Sequence, residues 1–199
     1  SIKESSPIHY MSVLYSTIPH QDYAALIRKV TYRNISAKAV RFTVVDGLPV
    51  FFPHGLSNFA YKELVSLMAA YCQVYGLEDK NPFVKFKTST GDNSIVQEAV
   101  DGNGFFAIDE KGNKLTPIVD PATLFGEDMT DLNVEPYEKL AYSDFIHQEE
   151  QTENKLPCAF YSCEKVLQPG ESYTVYAIYG MWNNFEAYLA ATKELTPEV

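Results

Sequence analysis

Residues 24–46 read AALIRKVTYRNISAKAVRFTVVD, and they carry the strongest structural signal in the chain. Its side chains alternate with a period of two, which is the repeat of a β-strand that buries one face. A short polar segment at 34–38 separates two such patterns and predicts a turn. We therefore expect a β-hairpin inside a sandwich, with Val40, Phe42 and Val44 on one face of its second strand and Arg41, Thr43 and Val45 on the other. Burial of each large apolar side chain there contributes roughly 1.5 to 3 kcal/mol.

Further strand patterns predict a mainly β chain. They cover residues 8–18, 25–33, 83–88, 94–100, 105–109, 159–166 and 173–179. Both faces of the last segment are largely apolar, which indicates a central strand. The run Asp101-Gly102-Asn103-Gly104 has the composition of a calcium loop, but it lacks the further oxygen ligands. We therefore expect a tight turn there.

Two helices and one irregular segment are expected besides the strands. From Asn58 apolar residues recur on one side of a helix that ends at Gly76 and is expected to face the core. A second helix is expected at about 183–195. Residues 111–153 lose regular periodicity and accumulate carboxylates, which indicates an acidic surface excursion. The chain is thus expected to be one β-sandwich domain, 1–199, with a helical insertion at about 58–76.

Charge and composition argue against several classes of partner. The 199 residues include 16 Lys and Arg against 26 Asp and Glu, and the formal net charge of −10 opposes binding to nucleic acid or to an anionic membrane. No apolar run approaches the roughly 18 residues that cross a bilayer, and the N-terminus lacks the pattern of a signal peptide. Cys72, Cys158 and Cys163 lack metal or redox spacing, so we expect buried thiols in a soluble cytoplasmic protein.

Three residues are candidates for ligand binding, each with a structural alternative that is favoured. His54 lies in a loop where binding groups often occur, but a turn histidine satisfied by backbone is the better interpretation. Arg28 alternates with apolar residues, so it either binds a ligand or forms an internal ion pair or edge contact, and the latter is favoured. Trp182 could belong to an aromatic sugar platform, although packing is the commoner role of such rings.

Catalytic and metal-binding motifs are not found. The four histidines have no compact ligand spacing, so no metal site is predicted. The sequence has neither a nucleophile elbow nor a phosphate-binding loop. The many carboxylates of 111–153 do not define a pair at a working separation, so no catalytic residue is predicted.

Two stretches of the chain resemble the N-terminal β-sandwich of glycoside phosphorylases of the cellobiose phosphorylase type. One runs from Ala24 to Asn34 and continues from Val40 to Asp46, and the other runs from Leu167 to Ser172. The resemblance implies a two-sheet antiparallel β-supersandwich, similar to galactose mutarotase, that is joined to an (α/α)6 barrel. It also places the general acid and the phosphate site in that barrel, so no position here inherits a catalytic role.

The leading hypothesis is a non-catalytic β-sandwich domain from a longer carbohydrate-active enzyme, a glycoside phosphorylase or related glycoside hydrolase. Such a domain serves for packing, dimer formation and shaping of the sugar site. The resemblance implies a catalytic helical barrel as partner within the same protein, oligosaccharide bound through the parent enzyme, and homodimers. Inorganic phosphate would be the co-substrate of that enzyme, with no further cofactor.

Two alternatives remain open. A free-standing mutarotase-like or lyase-like enzyme needs a histidine base close to a carboxylate, for which His54 and His147 are the candidates. A carbohydrate-binding module would instead use exposed Tyr, Phe or Trp182 as stacking platforms.

Overall fold

A computed structural model describes residues 1–89, 94–127 and 134–197 of the chain. Within these ranges ten strands form two antiparallel sheets. The strands are β1 (Ile2–Ser5), β2 (His9–Thr17), β3 (Ala24–Asn34), β4 (Val40–Leu48), β5 (Cys72–Tyr75), β6 (Phe83–Phe86), β7 (Gly102–Asp109), β8 (Thr116–Ile118), β9 (Ala159–Leu167) and β10 (Ser172–Trp182). The helices are α1 (Asn58–Glu63), α2 (Val65–Tyr71), α3 (Pro121–Phe125), α4 (Glu135–Lys139), α5 (Tyr142–Phe145) and α6 (Phe185–Glu194).

The larger sheet has seven strands in the order β1-β2-β3-β10-β7-β6-β5, and the smaller has three in the order β4-β9-β8. The main core lies between the sheets, because alternate residues of both bury their apolar side chains there. Val30, Val175 and Tyr161 represent β3, β10 and β9 in this core. The prediction of a mainly β, two-sheet antiparallel sandwich is therefore confirmed.

Strand β10 lies at the centre of the larger sheet. It pairs with β3 from Ser172 to Met181 and with β7 from Val175 to Trp182. Its two faces enter different clusters, since Val175 belongs to the core between the sheets and Ile178 to the core under α6. The prediction of a central strand with two apolar faces is confirmed.

The predicted hairpin at residues 24–46 is wrong in its pairing. Strand β3 belongs to the larger sheet and β4 to the smaller one, so the chain crosses between the sheets at 35–39. Strand β4 pairs with β9 over its full length instead. Both strands still bury one face in the same interior, and Phe42 and Val44 pack against the core as the alternation predicted. A period of two shows which face is buried, but it does not show which strand is the neighbour.

The helix expected at 58–76 is replaced by two short helices and a strand. Helix α1 ends at Glu63, α2 follows a break at Leu64, and residues 72–75 form β5, which pairs with β6. Cys72 and Val74 alternate with partly exposed neighbours, which is the burial pattern of a strand. The expected core-facing stripe is also wrong for most of its members, because α1 buries no residue and α2 buries only Met68.

Two further predictions between 94 and 104 are wrong. Residues 94–100 form no strand, and the expected turn at 101–104 falls on the start of β7. Glycine is required at both positions because a side chain would clash with its neighbours. A Cβ on Gly102 would lie 2.5 Å from the Val84 carbonyl oxygen, and one on Gly104 would lie 2.5 Å from the Tyr188 ring. A glycine inside a strand often marks such a close approach.

Both sheets are covered on their outer faces. Helix α6, within the predicted range 183–195, packs Tyr188 and Ala191 against the larger sheet. The acidic segment 111–153 is less irregular than expected, since it contains β8 and the three short helices α3 to α5. It packs Leu124 and Phe145 over the smaller sheet. Its residues 128–133 lie outside the described ranges.

The three cysteines are free and buried, as predicted. Burial raises the pKa of the Cys72 thiol to about 12 and that of Cys163 to about 11. In the described part of the chain, no helix has the length and apolar character needed to span a bilayer. The same residues include no group of three or more side chains placed to hold a metal ion.

Candidate ligand cleft between the sheets

A cleft of about 390 Å³ lies between the larger sheet and β4, an edge strand of the smaller one. One side is the inner face of β2 and β3, and the other is β4 together with a residue of α4. The side chains that line it combine charge with aromatic surface, and they include His9, Met11, Arg28, Phe42, Asp46 and Tyr137. Such a mixture is typical of pockets that orient a small ligand.

Arg28 projects from β3 toward the smaller sheet, because it alternates with the buried Val30. Its Nη1 forms an ion pair with Asp46 Oδ2 on β4, so the pair joins the two sheets. Its Nε donates a hydrogen bond of 3.1 Å to the hydroxyl of Tyr15 on β2. The side chains of Arg28 and Asp46 are 16% and 18% exposed. The internal ion pair favoured by the sequence is present, and it also borders the cleft.

Tyrosine hydroxyls surround this ion pair on the inner side. Tyr161 on β9 donates a hydrogen bond of 2.6 Å to Asp46 Oδ2, and the hydroxyl of Tyr32 interacts with that of Tyr161. Tyr179 on β10 lies close enough for the Arg28 charge to act on it. The hydroxyl of Tyr179 is buried and has no hydrogen-bond partner among the described residues. Three strands of the larger sheet and two of the smaller one therefore meet at one polar cluster.

Burial decides the protonation of these groups. It raises the pKa of Tyr32 to about 12, although the nearby Arg28 charge acts in the opposite direction. Burial also raises the pKa of Tyr161 and Tyr179. The hydroxyls are therefore neutral near pH 7 and serve as hydrogen-bond donors and acceptors rather than as bases.

His54 lies away from this cleft, on the loop before α1. Its Nε2 is 3.2 Å from Asp101 Oδ2, and the two side chains are 44% and 43% exposed. The partner is thus a carboxylate rather than the backbone group that sequence analysis favoured. His147 also lies elsewhere, at the end of α5, where its Nδ1 is 2.6 Å from the Ser143 carbonyl oxygen.

Trp182 is not an exposed platform. It is 1% exposed and lies at the end of β10 in the core under α6. Its ring centroid is 4.8 Å from that of Tyr188 and 5.2 Å from that of Tyr23. The structure therefore separates the three candidates: Arg28 lines the cleft, His54 occupies a surface loop, and Trp182 packs in a core.

Sequence analysis missed Asp46 and Tyr137 as cleft residues. A signal for Asp46 was present, because it shares the face of Phe42 and Val44 and thus places a carboxylate on the buried side of β4. A carboxylate and the guanidinium of Arg28 on facing inner surfaces predict an ion pair. Tyr137 gave no such signal, since it belongs to the segment that was expected to be irregular.

No protein-family model matches the chain, and no curated protein matches it. Among solved structures, a polysaccharide lyase aligns with a TM-score of 0.46 and 11% sequence identity. The alignment covers 96% of this chain and 23% of that one, so the chain spans about a quarter of the lyase's length.

Proposed function

We propose that this chain is a non-catalytic β-sandwich domain of a carbohydrate-active enzyme of the glycoside phosphorylase type. It packs against a helical catalytic domain of the same protein and shapes the sugar site of that domain. The resemblance of residues 24–34, 40–46 and 167–172 supplies the enzyme class. The apolar surface of α1 and α2 is the observation that carries the proposal.

Seven large apolar side chains near α1 and α2 are at least 37% exposed, and we call them the helical patch: Phe52, Phe59, Tyr61, Leu64, Val65, Leu67 and Tyr71. Phe59 is 68% exposed and Leu67 is 50% exposed. The rings of Phe52 and Tyr61 meet edge-on at 4.7 Å between centroids, which connects the preceding loop to α1. Soluble monomers rarely leave so many such side chains together in water.

The helical patch has the residues of a core-facing helix, but among the described residues these side chains stay exposed instead of entering a core. Leu64, Leu67 and Tyr71 recur at spacings of three and four, the spacing that buries a helix face against another helix. Each of the three is exposed. We propose that a helical domain elsewhere in the same protein completes this core, since the resemblance implies an (α/α)6 barrel.

The first test is an assay of the isolated chain for turnover. The chain is incubated with cellobiose or longer β-glucans and inorganic phosphate, and release of sugar phosphate is followed. We expect no release above that of a heat-denatured sample. Release at an enzyme-like rate, with phosphate required, would overturn the non-catalytic assignment.

The second test concerns the helical patch. In the double variant Phe59→Ser/Leu67→Ser we expect weaker binding of a hydrophobic dye and less self-association. The urea midpoint should be the same as that of the wild type. The matched control is Ile95→Ser/Val96→Ser, because these residues are 74% and 80% exposed but lie outside the patch. Equal dye binding and association in both double variants would contradict a role for the patch in packing.

A free-standing mutarotase-like enzyme is a second candidate, because His54 and Asp101 form the histidine–carboxylate pair that proton transfer requires. If this candidate is right, the chain accelerates the anomerisation of α-glucose and His54→Ala abolishes the acceleration. A chain without anomerisation activity would remove it.

A further inference from the structure

We propose that the cleft between β3 and β4 binds a neutral saccharide, with Arg28 and Asp46 contacting its hydroxyl groups. The ligand class rests on the proposed function, and the location rests on the cleft. The module hypothesis named exposed Tyr, Phe or Trp182 as stacking platforms, and the Trp182 ring is buried, so a sugar surface must be formed by other residues. In the cleft an ion pair and aromatic rings line the same surface depression.

The polar groups of the cleft retain hydrogen-bonding capacity. A guanidinium has five N–H donors, and Arg28 directs Nη1 to Asp46 and Nε to Tyr15. Asp46 accepts both of its hydrogen bonds at Oδ2, and the described residues give its Oδ1 no donor. A donor group and an acceptor group thus lie side by side, which suits two neighbouring hydroxyls of a pyranose ring.

The pair is held in place before a ligand arrives. Tyr161 holds Asp46 at 2.6 Å and Tyr15 holds Arg28 at 3.1 Å, while both charged side chains are largely buried. Groups fixed in this way lose little conformational freedom on binding, so less of the interaction free energy is lost. The arrangement differs from a surface ion pair, whose long side chains must first be ordered.

Apolar surface beside the pair suits the C–H face of a sugar. Phe42, Met11 and Tyr137 line the cleft, and the Tyr137 hydroxyl donates to the Thr43 carbonyl oxygen at 3.1 Å, which fixes its ring. The His9 ring meets Phe42 edge-on at 6.2 Å between centroids. The volume of about 390 Å³ lies within the range of roughly 300 to 1,000 Å³ that is usual for ligand pockets.

Charge selects a neutral ligand over an acidic one. The cation of Arg28 is compensated by Asp46, and the chain as a whole carries a formal net charge of −10. A uronate would approach a negatively charged molecule and would compete with Asp46 for Arg28. A neutral sugar carries no charge that must compete with Asp46 for Arg28, so the ion pair does not weaken its binding.

The test is calorimetric titration of the intact chain with cellotetraose, with a tetragalacturonate as the acidic comparison. We expect saturable binding of the neutral ligand and at least tenfold weaker binding of the uronate. Arg28→Met and Asp46→Asn should each weaken binding of the neutral ligand at least tenfold. No saturable binding by the folded wild type, or tighter binding of the uronate, overturns the proposal.

The chain offers a matched control on the opposite face of β4. Arg41 pairs with Glu164 at 3.0 Å, and its side chain is 67% exposed, so Arg41→Met removes an ion pair outside the cleft. This variant should bind the neutral ligand like the wild type. Circular dichroism and the urea midpoint show whether each variant is folded. If Arg28→Met unfolds, His9→Gln at the edge of the cleft replaces it, with a loss of binding expected.

The outcomes separate this proposal from the proposed function. Binding that Arg28→Met, Asp46→Asn and His9→Gln all leave unchanged overturns the cleft as the site, although the domain role stands. Turnover of phosphate and glucan by the chain overturns the domain role, although a saccharide still occupies the cleft. Binding that is lost in the cleft variants but kept in Arg41→Met supports the proposal.

Discussion

Asn34 connects three segments of the chain through one buried side chain. Its Nδ2 donates to the carbonyl oxygens of Lys38 at 2.7 Å and Leu167 at 2.9 Å, and its Oδ1 accepts from Ser36 N at 2.9 Å. Its backbone also bonds with Gly170 and Glu171. The two stretches that resemble glycoside phosphorylases therefore meet at this residue. Asn34 is fully buried, so water cannot replace these bonds.

We expect Asn34→Ala to lower the free energy of unfolding by about 2 to 3 kcal/mol, because the Leu167 and Lys38 carbonyl groups and the Ser36 amide each lose a hydrogen bond, the one to Leu167 being buried. Urea unfolding followed by circular dichroism measures the change. The control Asn183→Ala lies in an exposed position and should change stability by less than about 0.5 kcal/mol. A stability loss for Asn34→Ala no larger than that of the control would contradict this role.

Glu150 makes the stability of the chain depend on pH. Its Oε2 accepts hydrogen bonds from Val119 N and, at 3.0 Å, from Asp120 N. Burial nevertheless raises the pKa of its carboxyl from 4.5 to about 7, and the neighbouring Asp120 charge acts in the same direction. Between pH 4.5 and 7 the carboxyl is therefore protonated in the folded state and ionised in the unfolded state. The stability that this protonation contributes to the folded state is fully present below pH 4.5 and is lost as the pH rises through 7.

From pH 5 to pH 8 the free energy of unfolding of the wild type should fall relative to that of Glu150→Gln by roughly 1 to 3 kcal/mol, since the amide stays neutral. Urea midpoints at the two pH values give this difference. Glu149→Gln is the matched control, because Glu149 is exposed. A constant difference between Glu150→Gln and the wild type across this range would show that the carboxyl does not titrate there.

Helix α6 is seated on the larger sheet by a pair of glycines. Gly104 and Gly180 lie opposite each other on β7 and β10, and their missing side chains leave room for the Tyr188 and Trp182 rings. Tyr188 is fully buried and donates a hydrogen bond of 2.6 Å to the Phe105 carbonyl oxygen. Helix and sheet therefore meet without intervening side chains at this point.

Gly104→Ala should displace α6, because the added Cβ would lie 2.5 Å from the Tyr188 ring. We expect a stability loss of about 1 to 3 kcal/mol, the usual effect of overpacking. Trp182 is the single tryptophan of the chain, so its fluorescence reports on this contact, and we expect a shift to longer wavelength. Unchanged emission and stability would mean that the helix accommodates the methyl group in place.

The sequence predicted elements better where their residues contact near neighbours. Helix α6 and strands β9 and β10 agree closely with prediction, because their alternation or capping residues are local. The pairing of β4 with β9 and the conversion of residues 72–75 into β5 depend on partners distant in sequence, which no local pattern reveals. The cleft depends on the same distant pairing: Arg28 was found as a candidate, but its partner Asp46 required knowledge of the crossing between sheets.

At the scale of the whole molecule, β10 holds the larger sheet together. It lies between β3 and β7, so the strands on either side meet only through it in the described structure. We expect a chain truncated after residue 171 to remain unfolded by circular dichroism and amide NMR dispersion. A chain truncated after residue 184 keeps β10 and should retain strand signals despite losing α6. A folded 1–171 chain would contradict the central role of β10.

This position of β10 also has a consequence for synthesis on the ribosome. Strand β3 ends at Asn34, whereas its neighbour β10 begins only at Ser172 and is therefore translated much later. At roughly 5 to 20 residues per second, the nascent β3 waits on the order of ten seconds with an unpaired edge. Such an edge is a template for pairing with other chains, so chaperone binding during translation should decide how much of the protein is recovered in native form.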